Sequence, residues 1–273
     1  CTLARKITGR VDWDCEVKTL FRKRNLGGPI ANSSAITWFF ESEEEGIILE
    51  DDCLPNKSFF YFCRELLKKY RNNETIMSIS GNNFQFGEER GSASYYFSIY
   101  NHCWGWATWG RAWKYWNRDF NKNFISFKKG NKIKKITTDK RAQKYWMNIF
   151  QSIYENDRNN WDYIWTFSCW TRNGLTCLPN VNLVSNIGFG PDAQHTTDDN
   201  NKLSNIPTKE MRFPLTHPKI IQTNIPADNY TNKYIFKVNK QKNIFLKKIE
   251  FLLKKILKKL KLFDLVKKLY LKI

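Results

Sequence analysis

A chain of 273 residues with 41% hydrophobic residues, 11 Trp and 20 Phe has the apolar content of a folded protein, which excludes a disordered one. The formal net charge is +19, but 14 Lys against Glu250 and Asp264 place +12 of it in residues 231–273. The remaining +7 is spread over a mildly basic body, too little to read the whole molecule as a nucleic-acid binder.

The opening "CTLARKITGRVDWDCEVKTLF" (1–21) reads as the last turn of a helix followed by a strand over 15–21. That start implies a further unit upstream. "RNLGGP" (24–29) is a loop with two glycines and a proline. Residues 31–42 carry large apolar side chains at 36, 39 and 40, the spacing of an amphipathic helix, with Asn32 or Ser33 as its cap. "GIILE" (46–50) is a continuous apolar run, the form of a strand buried on both faces. A helix follows over 56–70, capped near Asn56 or Ser58, and then a strand over 74–81. This alternation predicts an α/β sheet with parallel strands, in which ligands bind beyond the carboxyl ends of the strands. Residues 94–117 are dense in aromatics, 138–170 are helix-rich, and 175–190 read as a short strand and a loop. The segment 200–239 looks like an irregular linker, with prolines at 207, 214, 218 and 226. Residues 240–273 read as a basic amphipathic helix.

Three adjacent acids, Glu50, Asp51 and Asp52, end the "GIILE" strand. Such carboxylates repel one another and need a compensating cation, either Arg or Lys or a hard divalent ion. Mg²⁺ or Mn²⁺ is typically held by one or two carboxylates together with the phosphates of a nucleotide. No glycine-rich phosphate loop of the Walker or Rossmann type occurs anywhere. In "WDYIW" (161–165) an acid, Asp162, sits among tryptophans, and partial desolvation of such an acid favours general-base chemistry. The alternative is a surface acid flanked by core aromatics. His195 follows a glycine-containing loop and reads either as structural or as a further metal ligand, whereas His102 and His217 read as structural. "HCWGWATWG" sets Trp104, Gly105 and Trp106 in a composition that suits either core packing or a platform for a sugar ring or base. "RNLGG" is an ordinary turn or a loop that approaches a phosphate through Arg24 and backbone N–H groups.

Seven cysteines without a CxxC pair show neither zinc-ligand spacing nor a disulfide framework, and read as reduced thiols of a cytosolic protein. No apolar run approaches the roughly 20 residues that a membrane span needs. The tail has three readings: a solvated helix, a nucleic-acid arm, or a helix lying on an anionic membrane surface, the last being favoured by its apolar face.

In order, "NSSAITWFFESEEEGIILEDDCLPNKSFFYFCRELL", "GWATWGRAW", "NWDYIWTFSCWTRNGLTCLPNVNLVSNIGFG" and "QHT" resemble glycosyltransferases of the GT-A fold. They are similar in particular to bacterial relatives of the inverting N-acetylglucosaminyltransferase I type. The resemblance covers residues 2–197, so the expected division is a GT-A domain over 1–199, a linker over 200–239 and the basic helix over 240–273. It implies an α/β mixed sheet flanked by helices and lacking its first βα unit. Asp52 is then the ligand to Mn²⁺ or Mg²⁺, with His195 near the metal. Glu50, Asp51 and the Arg24, Asn25 and Gly27 loop bind a nucleoside-diphosphate-sugar, a UDP-sugar in the first instance. Asp162 is the catalytic base, and Trp104, Gly105, Trp106 and Trp161 form the acceptor platform. The implied acceptor is a glycan or lipid-linked hydroxyl, and the implied place of work is the cytoplasmic face of the membrane. The rival reading is a non-enzymatic membrane-active protein that works through the basic helix.

Overall fold

A computed structural model describes residues 2–116, 119–156, 160–190 and 201–238. The basic helix expected over 240–273 and His195 lie outside the described residues.

The N-terminal portion contains α1 (Thr2–Ile7), a single 3-10 turn (Thr8–Arg10) and α2 (Gly28–Phe39). Helix α2 begins before the expected cap. Gly27, at φ +74°, supplies the turn into it and Pro29 occupies its first turn, while Ser33 donates to Pro29 O at 2.8 Å from inside the helix. Residues 15–21, expected as a strand, form no strand; Lys18 instead pairs with Glu16 and Glu43, and Arg5 lies over the Phe21 ring. Val17 and Phe21 stay about half exposed.

Strands β1 (Glu45–Ile48) and β2 (Cys53–Pro55) flank the acids, and α3 (Lys57–Tyr70) follows. In α3 the side chains of Phe59, Phe62, Cys63, Leu66, Leu67 and Tyr70 recur three or four apart and are buried. Asn56 caps it, its Oδ1 accepting from Ser58 N at 2.8 Å. Then come β3 (Ile76–Ser80), β4 (Tyr95–Ser98), β5 (Trp106–Trp109), α4 (Gly110–Trp113), α5 (Phe120–Lys129), α6 (Ile133–Ile136), α7 (Lys140–Asn156) and α8 (Trp161–Thr171). The last are β6 (Leu175–Pro179), β7 (Val184–Asn186) and α9 (Ile225–Tyr234).

The result is an α/β molecule with a mixed five-stranded sheet, ordered β1-β5-β3-β6-β4, flanked by helices. Only β3 and β6 are parallel; β1–β5, β3–β5 and β4–β6 are antiparallel. The expectation of a parallel sheet fails because β5 comes from the tryptophan-rich stretch and inserts between β1 and β3. All four of its residues are buried. Strand β1 is consequently an edge strand, each residue half-buried rather than enclosed on both faces. A second, two-stranded sheet joins β2 to β7, a strand that lies within the loop expected after β6.

The core is aromatic. Trp106 stacks on Trp161 with ring centroids 5.9 Å apart and also meets Trp113 and Trp165, which touch each other. Beyond α8, Trp146 stacks on Tyr100 and meets Trp170 edge-on. The segment 201–238 packs on this body: Met211 and Leu215 join its core, and α9 rests on β4. The docked face of α9 is largely polar. Its buried residues are Ala227, Asp228, Thr231 and Asn232. Asp228 accepts from Ser98 Oγ at 2.5 Å and Ile99 N at 3.3 Å, and Asn232 Oδ1 accepts from Tyr100 Oη at 2.6 Å.

Burial pushes the Asp228 carboxyl up to about 7, against the opposing pull of those two hydrogen bonds. An unfolded aspartate ionises near pH 4, so the folded state keeps a proton that the unfolded state has already released. The stability from this group is complete below about pH 4 and is lost as the pH rises through about 7. Thermal melts should therefore show Asp228→Asn, which imitates the protonated acid, raising the melting temperature at pH 8 and leaving it nearly unchanged at pH 4. An equal shift at both values contradicts this account.

Candidate active site

Strands β1 and β3 both run antiparallel to β5 and hence in one direction. Their carboxyl ends deliver Glu50–Asp52 and Gly81–Asn83 to the same side of the sheet, where β5 begins. The turn after β1 is closed by Cys53 N donating to Glu50 O at 3.1 Å. Asn32 of α2 donates from Nδ2 to Glu50 Oε1 at 2.8 Å, tying that helix to the acids. Ile187 N, just past β7, donates to Asp52 O at 2.9 Å. Gly188 then lies directly against the Asp52 side chain, so that a methyl group added there would overlap the carboxylate. Its backbone is held in place by Gly188 N donating to Asn186 Oδ1 at 2.9 Å.

Asp162 comes from the other side of the molecule. Asn160 precedes α8, Asp162 lies in its first turn, and the positive end of the helix favours a carboxylate there. Thr166 Oγ1 lies 2.7 Å from Asn101 Oδ1 and 3.1 Å from Asp162 O, linking α8 to the loop after β4.

Trp161, next to Asp162, stacks on Trp106, and Trp106 pairs with Ile48 at the end of β1, so the start of α8 lies by the acids. The Glu50 carboxyl is pushed up to about 7, first by burial and then by Asp52, Asp162 and Asp51. The Cys103 thiol is raised well above its ordinary value by burial, with Asp162 and Glu50 adding to it. The Cys53 thiol is pushed up to about 12 by burial, opposed by a backbone hydrogen bond and assisted by Asp52 and Glu50. Four carboxylates, three on the β1–β2 turn and one on α8, thus share one negative surface.

Other expected site residues fall elsewhere. Trp106 is 1% exposed and Trp161 7%, so both belong to the core and not to a platform; burial of every residue of β5 accounts for the first, and stacking on Trp106 for the second. Trp104 stays half-buried at the surface. Gly105, at φ +75°, packs against Val184 and Leu49, and a side chain there would overlap Val184. Arg24 is exposed, and Asn25 Oδ1 accepts from Gly27 N at 2.8 Å within its own loop. That loop opens α2, the helix that reaches Glu50 through Asn32. Asn32, Asn186 and Gly188 escaped the sequence reading. Asn32 stood out there only as a cap, and "NIGFG" offered only its glycines as a signal.

Two cavities lie away from the acids. One of about 370 Å³ is bordered by Arg111, Tyr115 and Arg172, and one of about 660 Å³ by Tyr61, Arg64 and Phe213. Neither carries the clustered carboxylates that demand a chemical partner, so the open acidic surface is the better candidate. No family model matches the chain, and no curated protein matches it. Among the described residues no helix is long and apolar enough to cross a membrane.

Among the described residues no three His, Cys, Asp or Glu side chains converge as a cage for an ion. The donor set instead fits a hard ion held by one carboxylate, Asp52, and completed by phosphate oxygens, with the absence of a side chain at Gly188 leaving room for the carboxylate itself.

Repulsion at Glu50 has a direct consequence. In chelator-treated buffer at pH 8, Glu50→Gln keeps the acceptor for Asn32 and removes one of four neighbouring charges, so the melting temperature should rise. A fall at pH 8 would show that the carboxylate is not under electrostatic stress.

Proposed function

We propose that the chain is a metal-dependent inverting glycosyltransferase of the GT-A type, moving a sugar from a nucleoside-diphosphate-sugar to a hydroxyl of a glycan or lipid-linked acceptor. The observation that carries this reading is the approach of Asp162 to Glu50, Asp51 and Asp52, set by Trp161 stacking on Trp106 opposite the end of β1. The order and spacing of the motifs, and a mixed α/β sheet with the acids at its strand ends, support it as well.

In this reading Asp52 holds Mn²⁺ or Mg²⁺ together with the donor diphosphate. Bound there, the metal acts as a Lewis acid that neutralises charge on the departing diphosphate. Glu50 and Asp51 bind the nucleotide-sugar, with Asn32 fixing the Glu50 carboxyl. Asp162 accepts the proton of the acceptor hydroxyl as its oxygen forms the new bond to the anomeric carbon and the bond to the diphosphate breaks. Inversion requires the attacking oxygen and the leaving group to lie on opposite faces of the sugar. That the base stands on α8 and the metal ligand on the β1–β2 turn, two separate elements, supports this reading. The 240–273 segment, rich in Lys, Leu, Ile and Phe, would hold the enzyme on the cytoplasmic face of an anionic membrane.

Asp52→Ala and Asp162→Asn should each lower transfer from UDP-sugars by at least about a hundredfold, the scale of a lost general base, in a metal-supplemented assay. Intact turnover in both variants would falsify the assignment. Removal of residues 240–273 should release the protein from phosphatidylserine vesicles at physiological salt in a sedimentation assay, with binding to neutral vesicles weak in either form. Retention on the anionic vesicles would place the membrane contact elsewhere.

A further inference from the structure

The excess charge of the body is concentrated in one place. Residues 119–144 hold nine basic residues against Asp119 and Asp139, a net +7, and the remainder of 1–230 is balanced, with 22 basic and 22 acidic residues. All nine are exposed. Lys128 and Lys129 end α5, and Lys134 and Lys135 stand in α6. Lys140, Arg141 and Lys144 lie in the first two turns of α7.

The fold draws these elements together. Lys132 N, just before α6, donates to Phe127 O of α5 at 3.1 Å, and Gln143 Nε2 of α7 donates to Thr137 O, just past α6, at 2.7 Å. Lys128 Nζ reaches Gln151 Oε1 of α7 at 2.7 Å. Phe120, Phe124 and Phe127 are buried, so α5 turns its aromatic side inward and leaves lysines and Ile125 outside. Among the described residues no salt bridge joins a lysine of this stretch to a carboxylate. Asp139 serves as the cap of α7, its Oδ1 accepting from Arg141 N at 2.8 Å and Ala142 N at 3.3 Å. The first turn of α7 carries no acid and begins with Lys140 and Arg141, at the helix end where cations are disfavoured. These charges are thus gathered against both mutual repulsion and the helix dipole, and an anionic surface relieves both.

The chain leaves the body beside them. Phe236 packs on Tyr145 and Trp146 of α7 at 5.8 and 5.1 Å, and Val238, the last described residue, is buried. Residues 239–273, with 12 Lys against two acids, therefore continue from the helix that carries Lys140, Arg141 and Lys144.

We infer that the exposed cationic face of α5, α6 and α7 docks the body on an anionic phospholipid bilayer, on the side from which the basic 240–273 segment departs. The residue types select a bilayer over a nucleic acid. Eight of the nine are Lys, compact charges suited to a diffuse anionic surface, whereas the forked Arg side chain suits recognition of individual phosphates. Single-stranded nucleic acid also needs exposed rings on which bases stack, and the aromatic rings of 119–144 are buried. The inference takes its partner from the bilayer reading of 240–273 and owes nothing to the transferase chemistry.

Sedimentation of the full chain with phosphatidylcholine vesicles, with and without phosphatidylserine, at physiological salt tests it. Lys132→Gln/Lys134→Gln/Lys135→Gln should weaken binding to the anionic vesicles on the order of a hundredfold, about fivefold for each lysine near the surface. The charge-matched control is Lys57→Gln/Lys68→Gln/Lys69→Gln on α3. That helix packs on the other face of the sheet, where Trp109 Nε1 donates to Leu67 O while Trp106 meets Trp165 of α8. The control should keep the affinity within about twofold, since charges beyond a Debye length are screened. Far-UV circular dichroism checks that each variant is folded. Unchanged binding by the first triple variant, an equal loss in the control, or a parent chain that ignores phosphatidylserine would overturn the inference. A first variant that keeps the vesicles but loses duplex DNA assigns the face to nucleic acid and overturns it as well. If the first variant loses the vesicles while removal of 240–273 changes nothing, the face stands and the reading of the tail falls.

Discussion

Repulsion among carboxylates at the end of β1 is the constraint to which the surrounding structure answers. Glu50 is half-buried with Asp51 and Asp52 beside it in the chain and Asp162 facing it from α8. Three of the four have a neutral support: Asn32 bonds Glu50, a backbone amide bonds the Asp52 carbonyl, and a helix terminus favours Asp162. A cluster kept in place by neutral donors is stable only to a degree, and it gains most from a positive ligand. That asymmetry separates this surface from the two cavities, whose arginines already have partners in aromatic rings and carbonyl oxygens.

The tryptophan cluster makes this arrangement rigid. Trp106 on β5 and Trp161 at the start of α8 stack face to face, so the first turn of α8 is pinned to the sheet at the residue next to Asp162. Strand β5 in turn pairs with β1, whose end carries the other acids. Two side chains that looked suited to holding substrate thus hold the two halves of the acidic surface in register. Asp162 is oriented by its neighbour's burial, a division of labour that the five letters "WDYIW" do not display.

Local features were legible where the pattern is local. The α3 spacing and its Asn56 cap, the β3 run, and the helices over 140–171 all follow from periodicity and capping chemistry. The acids at a strand end were equally visible. Pairing was not. "WATW" carries no alternation, so nothing in it announced a strand inserted between β1 and β3. The three-residue β7 exists only because β2 offers it a partner. Helix α9 was hidden by its docked face, where Asp228, Thr231 and Asn232 replace the apolar stripe by which helices are usually read. Gly188 shows the limit most plainly. Its role depends on an acid at position 52, a relation no window of sequence contains.

The small sheet governs when this surface can come into being. Cys53 pairs with Asn186 and Pro55 with Val184, so β2 waits for a strand made long after it. During synthesis the acids and α3 leave the ribosome early, whereas the wall formed by Ile187 and Gly188 arrives only near the end of the body. Nucleation from α3 and the first strands would leave the carboxylates in water until that late strand docks. Closing a contact of such sequence separation costs loop entropy, so the acidic surface depends on a pairing that local structure alone cannot supply.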